Sequence, residues 1–124
     1  MKRILLVDDE DDVREVAQLS LEMVGGWTVL AARCGEEAVR RAEAEHPDAI
    51  LLDVMMPEMD GPSTFRALQA NAATSAIPVL LLTAKTRSAD LERFAELGVA
   101  GVLSKPFDPL TLARDVSGAL GWDA

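Results

Sequence analysis

Three short apolar runs, Ile4-Leu5-Leu6-Val7, Ala49-Ile50-Leu51-Leu52 and Val79-Leu80-Leu81-Leu82, each stop at a polar residue: Asp8, Asp53 and Thr83. The runs are continuous rather than alternating. A strand that is apolar on both sides must be covered on both sides, and that is the situation of a strand inside a parallel sheet flanked by helices. Two weaker strands read as Thr28-Val29-Leu30-Ala31-Ala32 and Ala100-Gly101-Val102-Leu103-Ser104.

The segments between these strands carry helical spacing. Val13, Val16, Ala17, Ser20 and Val24 mark one face of a first helix that ends at Gly25-Gly26. Ala38, Val39 and Ala42 mark a second, stopping before Pro47. A third opens at Asp60 as N-cap, tolerates Pro62 in its first turn and carries Phe65 and Leu68. A fourth carries Leu91, Phe94 and Ala95 and closes at Gly98, and a fifth starts near Asp108-Pro109 with Leu112, Val116 and Leu120. Strand and helix alternating five times predict an α/β fold, a doubly wound five-stranded parallel sheet flanked by five helices. With right-handed crossovers the leading strand order is the flavodoxin-like 2-1-3-4-5. Such folds bind ligands beyond the carboxyl ends of the strands, near the switch point between strands 1 and 3.

A chain of 124 residues suits one domain, 1–124, and no linker or repeat divides it. No stretch resembles a signal peptide or is apolar for long enough to cross a bilayer, so a cytoplasmic location and no membrane partner are expected. The lone Cys34 cannot form an internal disulfide and reads as a buried thiol. Twelve basic against twenty-one acidic residues give a net charge of −9. That balance argues against direct DNA binding, which needs basic patches, and leaves protein partners and metal-bound ligands.

Chemically capable side chains collect at the strand ends. Strand 1 runs into Asp8-Asp9, strand 3 into Asp53, strand 4 into Thr83, and strand 5 is followed by Lys105-Pro106. Singly, each has an ordinary reading: an acid after a strand caps a helix, a threonine is common in strands, and a lysine is usually solvated. Together they face one rim. Converging carboxylates must bind a proton, a cation or both, and Mg²⁺ suits a few carboxylates while leaving room for phosphate oxygens. A carboxylate can attack phosphorus, and an ammonium and a hydroxyl can hold the remaining oxygens. No GxxxxGK[ST] or GxGxxG cradle is present, so the phosphoryl group must come from another molecule.

Ile4-Leu5-Leu6-Val7-Asp8-Asp9-Glu10, Leu51-Leu52-Asp53-Val54-Met55-Met56-Pro57, Met59-Asp60-Gly61, Leu82-Thr83-Ala84 and Lys105-Pro106-Phe107 closely resemble the receiver domains of two-component response regulators, in order and spacing, from Lys2 to about Leu120. The resemblance implies a phosphorylation-dependent signalling switch rather than a metabolic enzyme. Asp53 would accept a phosphoryl group from a sensor histidine kinase or histidine phosphotransfer protein. Asp9 would ligate Mg²⁺ directly, Asp8 would help through water, and Asp53 and the backbone carbonyl of Met55 would complete the protein ligands. Thr83 would be the switch hydroxyl and Lys105 the ion-pairing partner of phosphate, joined to Pro106 by a cis peptide. A downstream protein target would read the change, and helix 4, strand 5 and helix 5 form the surface on which targets or a homodimer partner would be expected.

Three features depart from or qualify that pattern. The family commonly has an aromatic three residues before the lysine; here Val102 stands there and the chain has no tyrosine, so signalling through an aromatic rotamer is not expected. Met55 and Lys85 occupy positions that in the family tune dephosphorylation, and the resemblance implies slow loss of phosphate because Met55 cannot orient an attacking water by hydrogen bonding. An aspartyl-phosphate phosphatase would carry a second Asp where Met55 stands. A non-phosphorylated scaffold would not keep the whole set, and a receiver fragment of a larger regulator would look the same as a chain closing at Trp122-Asp123-Ala124. His46 reads as a solvated helix end, the methionines as loop packing, and Trp122 as either a cap on the last helix or an exposed contact.

Overall fold

The computed structural model describes residues 2–84 and 87–122. Lys85 and the terminal Asp123-Ala124 lie outside them. Strands β1 (Arg3–Val7), β2 (Thr28–Ala32), β3 (Ala49–Asp53), β4 (Val79–Thr83) and β5 (Gly101–Ser104) alternate with helices α1 (Asp11–Met23), α2 (Gly35–Glu45), α3 (Gly61–Ala70), α4 (Ser88–Glu96) and α5 (Leu112–Leu120). All strands are parallel and lie in the order β2-β1-β3-β4-β5, which is the flavodoxin-like arrangement the alternation predicts.

The strand pattern explains the layers. Successive side chains of a strand point to opposite faces. Ile4, Leu6, Leu51, Leu80 and Leu82 therefore pack with Ala17 and Leu21 of α1 and Leu112 and Val116 of α5. Leu5, Val7, Ile50, Leu52 and Leu81 pack on the other face with Ala38 and Ala42 of α2, Phe65 and Leu68 of α3 and Phe94 of α4. Every residue of β3 and β4 is buried, whereas edge strands β2 and β5 are only partly covered. The continuous apolar runs belong to strands with two covered faces.

Details of the helices differ from the expected faces. Val16 and Val24 lie in solvent, at 46% and 53% exposure, while Ala17, Ser20 and Leu21 face the core. A step of 100° per residue carries Val16 round to the outer side. In α4 only Phe94 is buried, and Ala95 and much of Leu91 are exposed. Helix α5 begins at Leu112, after a turn over Asp108 in which the Leu110 N–H donates to Asp108 Oδ1. Asp60 does cap α3, accepting from the Ser63 N–H at 2.8 Å, and His46 is the exposed left-handed C-cap of α2. Cys34 is half-buried rather than buried. Trp122 is settled by a partner: its ring meets that of Trp27 edge-on at 5.2 Å, with the Lys2 ammonium 4.9 Å from its centroid.

Candidate functional site at the carboxyl rim of the sheet

The register decides which side chains meet. Val7 pairs with Leu52, so the next residues, Asp8 and Asp53, leave adjacent strands side by side. Thr83 pairs with Ser104, and the Lys105 N–H donates to the Thr83 carbonyl at 2.8 Å, which carries the ladder one residue further and turns Lys105 toward the acids. Lys105 Nζ lies 3.0 Å from Asp8 Oδ2 and 3.1 Å from Asp53 Oδ1. Carboxylate oxygens of Asp8, Asp9 and Asp53 lie within 4.8 Å of one another, with Asp8 and Asp53 buried and Asp9 exposed.

The three acids are not equivalent. Asp8 is committed at every polar atom: its N–H donates to the Ala32 carbonyl, its carbonyl accepts from Arg14, Oδ1 accepts from the Glu10 N–H and Oδ2 from Lys105. Asp53 uses only Oδ1, and its buried Oδ2 has no hydrogen-bond partner. Such a group is costly unless something fills its coordination. Burial pushes the Asp53 carboxyl up to about 6; the Lys105 hydrogen bond pulls it down, and the charges of Asp8 and Asp9 add to the rise. Burial opposes the Lys105 ammonium, yet its bonds to Asp8 and Asp53 outweigh that and raise its pKa. Asp11 is held below the usual carboxylate range by its hydrogen bond to Arg14.

The loop after β3 closes the site from one side. The Val54 N–H donates to the Leu82 carbonyl, and the Gly61 N–H to the Val54 carbonyl at 2.9 Å. A Cβ on Gly61 would stand 2.8 Å from both the Asp53 carbonyl oxygen and the Val54 Cα, so only glycine lets α3 start this close to Asp53. Within the loop Met56 is buried, but Met55 is 59% exposed and does not pack on the core. Thr83 is buried at the end of β4. It lines, with Leu91, Val102, Leu103 and Ser104, a cleft of about 280 Å³. The Lys105-Pro106 peptide is cis.

Sequence reasoning missed two parts of this region. One is Arg14, whose guanidinium reaches back over the start of α1; long helical side chains cover the turn N-terminal to their own Cα, so its position was the available signal. The other is an outward apolar stripe on α1, Val16, Leu19 and Met23, with exposed Leu110 in the loop before α5. A cleft of about 490 Å³ runs from Val13 and Val16 to Lys105, Pro106, Phe107 and Pro109, alongside the acidic site.

Strand ends bearing acids and a lysine on a 2-1-3-4-5 sheet define a class, and the sequence confirms it. Residues 4–117 match the response regulator receiver domain, and the chain belongs to that family, the receiver domains of two-component signalling. It is 37% identical to protein PilH of Pseudomonas aeruginosa, over 97% of this chain and 98% of that protein. It is 42% identical to the alkaline phosphatase synthesis transcriptional regulatory protein PhoP of Bacillus subtilis, over 87% of this chain and 44% of that one. The chain spans about half the length of the first curated relatives it matches, 44–48%. The crystal structure of Vibrio cholerae chemotaxis protein CheY4 superposes with a TM-score of 0.88 at 31% identity, covering 96% of this chain and 98% of that one. Receiver domains are signalling switches. No helix among the described residues is long and apolar enough to cross a membrane.

Proposed function

We propose that residues 1–124 form one receiver domain that accepts a phosphoryl group on Asp53 from a phosphohistidine of a sensor kinase or phosphotransfer protein, acting in the cytoplasm. The single observation that carries this is the buried, unpartnered Asp53 Oδ2 beside Lys105 and two further carboxylates. A hard-oxygen donor set of this kind fits Mg²⁺. Asp9, Asp53 and the Met55 carbonyl would hold the ion, with Asp8 supporting them from behind because its own oxygens are already engaged. When bound, the ion supplies positive charge that offsets the charge of the transferring group.

The chain's residues do the rest. The Asp53 carboxylate attacks phosphorus; its O–P bond forms as the donor's N–P bond breaks and the imidazole leaves. Lys105 Nζ, already between Asp8 and Asp53, turns its charge to the incoming oxygens, and the Thr83 hydroxyl donates to them from the end of β4. New negative charge beside these two residues biases the β4–α4 and β5–α5 loops and the surface a downstream target reads. The donor reaches Asp53 along the cleft between α1 and the β5–α5 loop, where Val13 and exposed Val16 offer an apolar seat. The exposed Met55 side chain has no group that hydrogen-bonds an attacking water, which supports slow hydrolysis.

Intact mass after incubation with Mg²⁺ and acetyl phosphate tests the reading. The expected result is a gain of one phosphoryl group that is lost without Mg²⁺ and in Asp53→Ala. No gain in wild type, under conditions that label an established receiver, contradicts it.

A further inference from the structure

Arg14 stands where electrostatics alone would not place it. It lies in the run Asp8-Asp9-Glu10-Asp11-Asp12, Glu15, and a positive charge there weakens the field that draws a cation to the rim. Its side chain is 13% exposed, so it is built into the structure rather than solvated. Its fork has two partners. Nη1 donates to the Asp8 carbonyl at 2.9 Å and Nη2 to Asp11 Oδ1.

Both contacts bear on the same short segment. Between β1 and α1 the chain must turn so that Asp9 faces Asp53, and Glu10, the N-cap of α1, makes no side-chain capping bond. The turn is instead held by Asp8: Oδ1 takes the Glu10 N–H at 2.9 Å, and the Asp8 carbonyl, which begins the Asp8–Asp9 peptide, is held by Arg14. The second arm pairs with Asp11 in the first turn of α1, and that carboxylate is outside the Asp8–Asp9–Asp53 cluster. Asp9 is exposed, and among the described residues no hydrogen bond or ion pair holds its side chain, so its peptide is what aims it.

From this geometry we infer that Arg14 is a positioning residue for the cation site: by gripping the Asp8 carbonyl and Asp11 it fixes the Asp8–Asp9 peptide so that the Asp9 carboxylate faces Asp53. The inference rests on the Mg²⁺ reading above. It predicts a sign opposite to that of simple charge. Removing a nearby cation tightens Mg²⁺ binding if charge is all Arg14 contributes, and loosens it if Arg14 holds the peptide.

Isothermal titration of Mg²⁺ into the whole unphosphorylated chain reads this without any turnover. Arg14→Gln should weaken affinity about tenfold, the usual scale for residues that orient metal ligands. Arg14→Lys keeps the charge, cannot fork to two acceptors, and should also weaken it, though less. Equal or tighter binding by Arg14→Gln, or wild-type affinity in Arg14→Lys, overturns the inference. If wild type itself takes up no Mg²⁺, the metal reading falls and this inference with it; weakened variants beside a binding wild type separate the two.

Discussion

The two rims of this sheet are built from the same strands and obey different rules. At the amino rim, β1 begins at Arg3, whose N–H donates to Asp48 Oδ2 at 2.7 Å and whose guanidinium donates to the Glu45 carbonyl. Trp27 and Trp122 close the corner edge-to-face, and Lys2 lies over the Trp122 ring. Opposite charges meet, and apolar faces cover each other. At the carboxyl rim two buried carboxylates share one lysine, a third lies beside them, and a buried oxygen has no partner. One rim is optimised for the folded state; the other is left short of positive charge and spends stability on readiness for a ligand.

Substitutions can break or sharpen that contrast. The largest effect is expected from Lys105→Met, which leaves Asp8 and Asp53 facing each other without a cation; urea unfolding in EDTA at pH 7.5 should show a loss of about 3 kcal/mol. Trp27→Ala at the opposite rim should cost about 2 kcal/mol through lost apolar burial and the edge-to-face contact, while leaving phosphorylation by acetyl phosphate unchanged. Lys2→Ala should cost only about 0.5 kcal/mol, read as a small fall in Tm, because its cation–π contact is near the surface. If Trp27→Ala altered phosphorylation as much as Lys105→Met, the two rims would not be separable in this way.

Much of this was legible in the chain. The abrupt ends of Ile4–Val7, 49–52 and 79–82 located the carboxyl rim, because three apolar strands in turn give way there to polar side chains. The Asp60 cap and Pro62 located α3, since capping is a local code. What could not be read depends on distant partners. Val13, Val16, Ala17 and Leu19 are all apolar and spread round the helix, so composition could not say which side α1 turns to the sheet. Trp122 had no local signal for Trp27, which lies far from it in the chain, just before β2. The start of α5 depended on the Asp108 turn, which delays the helix past Pro109. The family resemblance gave the acids different roles, but their hydrogen bonding could not be read from the chain: only the fold reveals that Asp8 is saturated with hydrogen bonds and Asp53 is not.

The central claim is that Asp53 is held at a cost which a cation relieves. With its pKa raised from 3.8 to about 6, folding favours the protonated carboxyl. Its contribution to stability is therefore complete below about pH 4 and lost as pH rises through 6, a cost of about 2–3 kcal/mol at pH 7.5. Asp53→Asn does not titrate and escapes that cost. The measurement is the unfolding free energy of wild type and Asp53→Asn from pH 4 to 8, with and without Mg²⁺. Without the ion, the stability of Asp53→Asn relative to wild type should climb by about 2–3 kcal/mol across that range; with it, wild type should recover most of the difference and Asp53→Asn should respond little. A relative stability that stays flat with pH, or equal stabilisation of both proteins by Mg²⁺, would contradict the account.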